Sequence, residues 1–165
     1  MEDKVIEQQS LKKTKYAEYI RDFTAIGNPF LLLLVALGTL SSHPKFETYF
    51  LILLAGFFLN EIVCSAIKYF WHKPRPNGQQ FKNGFEKIDA GSFPSIHSSR
   101  IAFVYLSLAY IQYLSGNWFI VPVFLIVILV VGYSRIFLKK HFFFDVMAGY
   151  FFGALLFFII TFLLK

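Results

Sequence analysis

Several stretches of this chain are apolar for long enough to cross a lipid bilayer, and that fact limits its fold more than any other. A helix rises 1.5 Å per residue, so ~20 residues traverse a hydrocarbon layer of ~30 Å. Inside lipid every backbone N–H and C=O must be satisfied within the spanning structure, which leaves helices or closed barrels. The apolar residues run continuously and do not alternate, and 22 of the 165 residues are phenylalanine while only 16% are charged. The expected class is therefore all-α, an integral membrane helical bundle of about five transmembrane helices at about 23–40, 46–71, 94–114, 118–138 and 141–164. Before them, residues 3–19 are charged and end in aromatic residues, as in a helix lying on the membrane surface. The expected organisation is one domain over 1–165, a surface segment at 1–21 and a bundle at 22–165. The charged N-terminus lacks a short apolar core with a small-residue cleavage site, so no signal peptide is expected. The single Cys64 excludes an intrachain disulfide and a cysteine metal site. The net charge of +6 suits anionic lipid or an anionic substrate. It does not suit nucleic acid, because no soluble segment carries a basic patch interleaved with aromatic residues.

Polar residues near a bilayer are costly unless paired, wet or functional. Threading five spans sends the N-terminal segment, the loop 72–93 and the junction at Lys139-Lys140 to one face of the membrane. Only "SSHPK", "SGN" and the C-terminus reach the other. Three polar clusters meet on the crowded face. "KYFWHKPRP" carries Lys68 and Arg75, "FPSIHSSR" carries Ser95, His97 and Arg100, and "SRIFLKKHFFFD" carries Ser134, Arg135, His141 and Asp145. Guanidinium forks match phosphate oxygens bidentately, and a helix beginning near Ser95 adds unpaired N–H groups and a favourable dipole. These features point to a phosphate ligand.

His141 and Asp145 are four residues apart, so on a helix they share a face and the carboxylate can accept the proton of one imidazole nitrogen. The other nitrogen is then free to attack phosphorus. His97, from a different helix, is placed to protonate the leaving oxygen, with the cations stabilising developing charge. A carboxylate-rich magnesium site is missing, so no metal and no cofactor are expected.

The three clusters resemble the signatures of the type 2 phosphatidic acid phosphatase family. Lys68 to Pro76 is similar to its first signature, lysine, six residues, then Arg-Pro; "PSIH" is similar to Pro-Ser-Gly-His; and "SRIFLKKHFFFD" matches Ser-Arg, five residues, His, three residues, Asp. The resemblance spans Lys68 to Asp145, in the family's order. It implies a membrane bundle that hydrolyses lipid phosphate monoesters or diphosphates through a phosphohistidine, with His141 as nucleophile, Asp145 as its orienting partner and His97 as acid. Lys68, Arg75, Ser95, the Ile96 backbone N–H and Arg135 would bind phosphate. Ile96 stands where the family has glycine, and five spans stand where members commonly have six. Substrates implied are lipid A 1-phosphate, undecaprenyl or another polyprenyl diphosphate, phosphatidylglycerophosphate and phosphatidate.

The remaining residues are read individually. Glu61 lies seven residues before Lys68, about 10 Å deeper on the same helix face, and supports the site alone or paired with Arg100; Ser134 is a further supporting candidate. Lys139 and Lys140 read as snorkelling interfacial lysines, and His43 and His72 as loop residues. "GYFFG", Gly149 to Gly153, has small-xxx-small spacing suited to packing within the bundle, consistent with a monomer. A bacterial inner membrane is expected. Basic residues on the site face suggest cytoplasm by the positive-inside rule, whereas resemblance to bacterial members favours the periplasmic face. Two rivals remain: a vanadate-dependent haloperoxidase, which would be a soluble helical protein, and a protein that binds or transports lipid phosphate without catalysis.

Overall fold

The computed structural model describes residues 27–78 and 80–163. They form helices α1 (Pro29–Leu40), α2 (Phe46–Phe70), α3 (Gly84–Ala90), α4 (Ile96–Leu114), α5 (Val121–Phe137) and α6 (Phe143–Leu163), with a 3₁₀ turn at Trp118–Ile120 leading into α5. No strand occurs among the described residues, and Pro74 and Gly91 make an isolated antiparallel bridge. Local chemistry sets the helix starts. The Asn28 side chain accepts the Phe30 N–H ahead of Pro29 in the first turn of α1, a position where proline's missing N–H costs nothing.

Three elements, Phe46–Phe70, Trp118–Phe137 and Phe143–Leu163, are long and apolar enough to cross a membrane. Their outer faces expose Leu51, Phe58 and Ile62 on α2, Ile126 and Leu129 on α5, and Phe151 and Phe158 on α6. Apolar surface of this extent suits lipid and not water. The other expected spans differ for physical reasons. Helix α4 has 19 residues, yet it carries His97, Ser98, Ser99, Arg100, Ser107 and Gln112 and is less apolar. It can be so because α1, α2, α5 and α6 all pack on it and bury most of its length. Helix α1 has 12 residues, about 18 Å, too short for the hydrocarbon layer. The rest of that expected span and the expected surface segment 1–21 lie outside the described residues.

Helix α6 lies close against α4. A Cβ on Gly153 would come within 2.2 Å of the Ser99 carbonyl oxygen, and one on Gly149 within 2.5 Å of that of Ser95. The small-xxx-small pair thus allows α6 to touch the α4 backbone inside the chain, as its spacing suggested. Around this contact Leu53, Phe57, Ile101, Phe103, Leu108, Val131 and Phe157 form the core. The helix ends bearing chemistry, the C-termini of α2 and α5 and the N-termini of α4 and α6, meet at one end of the bundle. Gly153→Ala should lower stability by about 1–3 kcal/mol through overpacking, read as a lower melting temperature in detergent. Gly38→Ala, which meets nothing within 4 Å among the described residues, should leave that temperature unchanged or raise it.

Candidate active site

Positive charge is buried at this end of the bundle. Lys68, in the last turn of α2, is 2% exposed and donates from Nζ to the Gly91 carbonyl at 2.5 Å. Arg75, in the following loop, reaches the same carbonyl through Nε at 3.5 Å and lies 3.7 Å from the Asp89 carboxylate. Arg135, near the end of α5, is 8% exposed, and its Nε is buried without a hydrogen-bond partner among the described residues. A buried donor left unmatched costs about 1–3 kcal/mol, more when charged. Such a donor among cations suits an anion with several oxygens. The electrostatic neighbours of His97 include Arg135, Arg100, His141 and Lys68, and those of His141 include Lys68, Arg135 and Arg75. Both histidines and the cations from α2, α5 and the intervening loops therefore share one site.

His141 sits in the turn between α5 and α6. Lys139 adopts a left-handed φ of 52°, and the Lys140 and His141 N–H groups both donate to the Arg135 carbonyl at 3.1 and 3.2 Å. The motif arginine thereby holds the backbone of the motif histidine. The imidazole is 3% exposed, with Nδ1 2.7 Å from the Ser92 carbonyl. A carbonyl only accepts, so the neutral ring carries its proton on Nδ1 and leaves the Nε2 lone pair free.

The expected pairing of Asp145 with the His141 ring is not the one found. Helix α6 begins at Phe143, so His141 precedes it and the four-residue spacing does not align the two side chains. Instead Asp145 Oδ2 accepts the Phe142 N–H at 2.9 Å, and Oδ1 accepts from Lys73 Nζ at 2.6 Å. The first is a capping interaction three residues back at a helix start. The orienting acceptor for His141 is thus Ser92, and Asp145 anchors the turn.

The other candidates fall into place around this centre. Ser95 is fully buried as the N-cap of α4, where its Oγ accepts from the Ser98 N–H and hydroxyl at 3.4 and 2.9 Å, while its own N–H donates to the Asp145 carbonyl. Ile96 opens α4 without a positive φ, so this backbone has no need of the glycine of the related signature. The Ser134 hydroxyl donates to the Val131 carbonyl in its own helix. Glu61 and Arg100 form a bidentate pair, Nε to Oε1 and Nη2 to Oε2, each at 2.7 Å, and Arg100 Nη1 donates to the Gly27 carbonyl at 3.0 Å. Gly27 lies against the His97 ring, where a Cβ would sit 3.3 Å from Cδ2. His43 and His72 lie in loops, against Tyr49 and Phe81.

Lys73, Gly91 and Ser92 were not anticipated. Gly91 and Ser92 contribute carbonyls, which no residue type advertises. The short helix α3 that leads to them does have a signature, Asn83-x-x-Glu86: the Asn83 side chain accepts the Glu86 N–H and the Glu86 carboxylate accepts the Lys82 N–H.

Burial, and then the Lys68 and Arg135 cations, push the His141 pKa down to about 2, with the Ser92 hydrogen bond opposing them in part. Its folded pKa is below the unfolded value, so the stability conferred by the neutral ring is present above pH 6.5 and is lost as pH falls. In ¹³C-histidine spectra of the protein without added phosphate, the signal that His141→Ala removes should keep its neutral shift down to pH 5. A midpoint near 6.5 would contradict this.

The profile of the PAP2 superfamily matches residues 49–164. The crystal structure described as the first transmembrane PAP2 type phosphatidylglycerolphosphate phosphatase, from Bacillus subtilis, superposes with a TM-score of 0.72 at 24% identity, covering 90% of this chain and 76% of that one. No curated protein matches the sequence.

Proposed function

This chain belongs to the PAP2 superfamily, and from that premise we propose that it hydrolyses a phosphate from a membrane lipid phosphate or diphosphate by way of a phosphohistidine. The observation that carries this reading is the pairing of two histidines with Lys68, Arg75 and Arg135, of which Arg135 has a buried Nε with no partner among the described residues. The lipid's tails stay in the bilayer and its phosphate enters among the cations. His141 Nε2 forms a bond to phosphorus as the bond to the leaving oxygen breaks, and His97 gives that oxygen its proton. Water, deprotonated by His97, then displaces the histidine and releases phosphate. The Lys68, Arg75 and Arg135 charges stabilise the phosphoryl oxygens in both steps, so no metal is required. Candidate substrates are lipid A 1-phosphate, undecaprenyl diphosphate, phosphatidylglycerophosphate and phosphatidate. The fold match to a phosphatidylglycerolphosphate phosphatase makes phosphatidylglycerophosphate the first to assay. The proposed setting is a monomer in a bacterial inner membrane with the site facing the periplasm.

Detergent-purified protein should release phosphate from at least one of these lipids with EDTA present, His141→Ala should release none, and His97→Ala should be slower by about 10²–10⁴-fold. Absence of release from every lipid, or equal release by His141→Ala, would favour a binding or transport protein. Sidedness has its own test. An impermeant thiol reagent should label Lys82→Cys in intact spheroplasts, whereas labelling only after lysis would place the site in the cytoplasm.

A further inference from the structure

Lys73 is one of the six intervening residues of the first signature, which names no residue type there, yet it closes a ring of hydrogen bonds around the nucleophile. Its carbonyl accepts the Ser92 N–H at 2.7 Å. The Ser92 carbonyl in turn accepts from His141 Nδ1 at 2.7 Å. The residue after His141, Phe142, donates its N–H to Asp145 Oδ2 at 2.9 Å. Asp145 Oδ1 completes the ring by accepting from Lys73 Nζ at 2.6 Å. The same ammonium lies 4.7 Å from the centroid of the Phe142 ring. Lys73 therefore holds the His141 turn on both sides, through the loop that supplies the Nδ1 acceptor and through the carboxylate that caps α6.

Resting on the lipid phosphatase reading, we propose that Lys73 is a positioning residue for the His141 nucleophile. It sets the direction of Nε2 by fixing the Ser92 carbonyl relative to the start of α6. It also occupies the Asp145 carboxylate, so that His141 Nδ1 donates to a neutral carbonyl. Lys73 is about one-third exposed and Asp145 is fully buried. Without the ammonium, the carboxylate would face the site with only the Phe142 N–H as partner, free to turn toward the imidazole. Near-attack geometry is sensitive at this scale, since a displacement of ~1 Å can slow a reaction ~10²-fold.

The test compares Lys73→Met, which keeps the stem and removes the charge, with Lys73→Arg, which can still donate to Asp145, in the full chain in detergent. Two readouts are needed. Phosphate release from phosphatidylglycerophosphate, phosphatidate, undecaprenyl diphosphate and lipid A 1-phosphate gives kcat and KM. ¹⁵N-histidine spectra give the tautomer and the exchange rate of the His141 Nδ1 proton, assigned by its loss in His141→Ala. The expected result for Lys73→Met is a kcat about 10–100-fold lower with KM and melting temperature unchanged, and an Nδ1 proton that exchanges faster or is redistributed. Lys73→Arg should recover most of both. A Lys73→Met protein with kcat within twofold of wild type and an unaltered Nδ1 proton would overturn the proposal. So would a Lys73→Arg protein as impaired as Lys73→Met, or a loss that follows the melting temperature. A wild type inactive on every lipid would sink the phosphatase reading, while the Nδ1 proton would still decide the role of Lys73.

Discussion

Burying positive charge at one end of a helical bundle is the condition on which the rest of this structure depends. Lys68, Arg100 and Arg135 are each less than one-tenth exposed, and desolvating such groups is expensive unless they are paired. The pairing is uneven. Arg100 has the Glu61 carboxylate in bidentate contact, Lys68 has a backbone carbonyl, and Arg135 Nε has no partner among the described residues. A phosphate dianion between Lys68, Arg75 and Arg135 would relieve that imbalance, and negative charge developing on phosphoryl oxygens would relieve it further. Binding and catalysis would draw on the same unsatisfied field.

Backbone geometry makes the arrangement possible. Gly149 and Gly153 let α6 approach the α4 backbone closely, and this brings the turn bearing His141 beside the helix bearing His97. The contact is continued by the Ser95 N–H, which donates to the Asp145 carbonyl. The loop after α2 is folded onto the same region, because Lys68 and Arg75 both donate to Gly91 and Ser92 bonds back to Lys73. The site is thus built from helix ends fixed by cores deeper in the bundle, with one loop carbonyl setting the tautomer of the His141 ring.

Much of this was legible in the sequence because side-chain type carried it. Continuous apolar runs revealed α2, α5 and α6, and the motifs holding Lys68, Arg75, His97, Arg135 and His141 pointed to residues that the structure brings together at one end of the bundle. Glu61 and Arg100, placed in different segments, were legible only as a possible pair. What escaped depended on backbone geometry. The His141 to Asp145 interval reads as one helical turn only if the helix begins by His141, and it begins at Phe143. Ser92 acts through its carbonyl, and Lys73 looks like any interfacial lysine until the fold brings it to Asp145. The polar character of α4 obscured how deeply it is buried, since hydropathy registers composition and not which neighbours surround a helix.

The most direct test of the phosphohistidine site is a crystal structure with orthovanadate, whose trigonal-bipyramidal complexes mimic phosphoryl transfer. The expected result is vanadium bonded to His141 Nε2, with equatorial oxygens on Lys68, Arg75 and Arg135 and an apical oxygen facing His97. Vanadate bonded to another residue, or excluded from this face at saturating concentration, would contradict the assignment of His141 as the nucleophile.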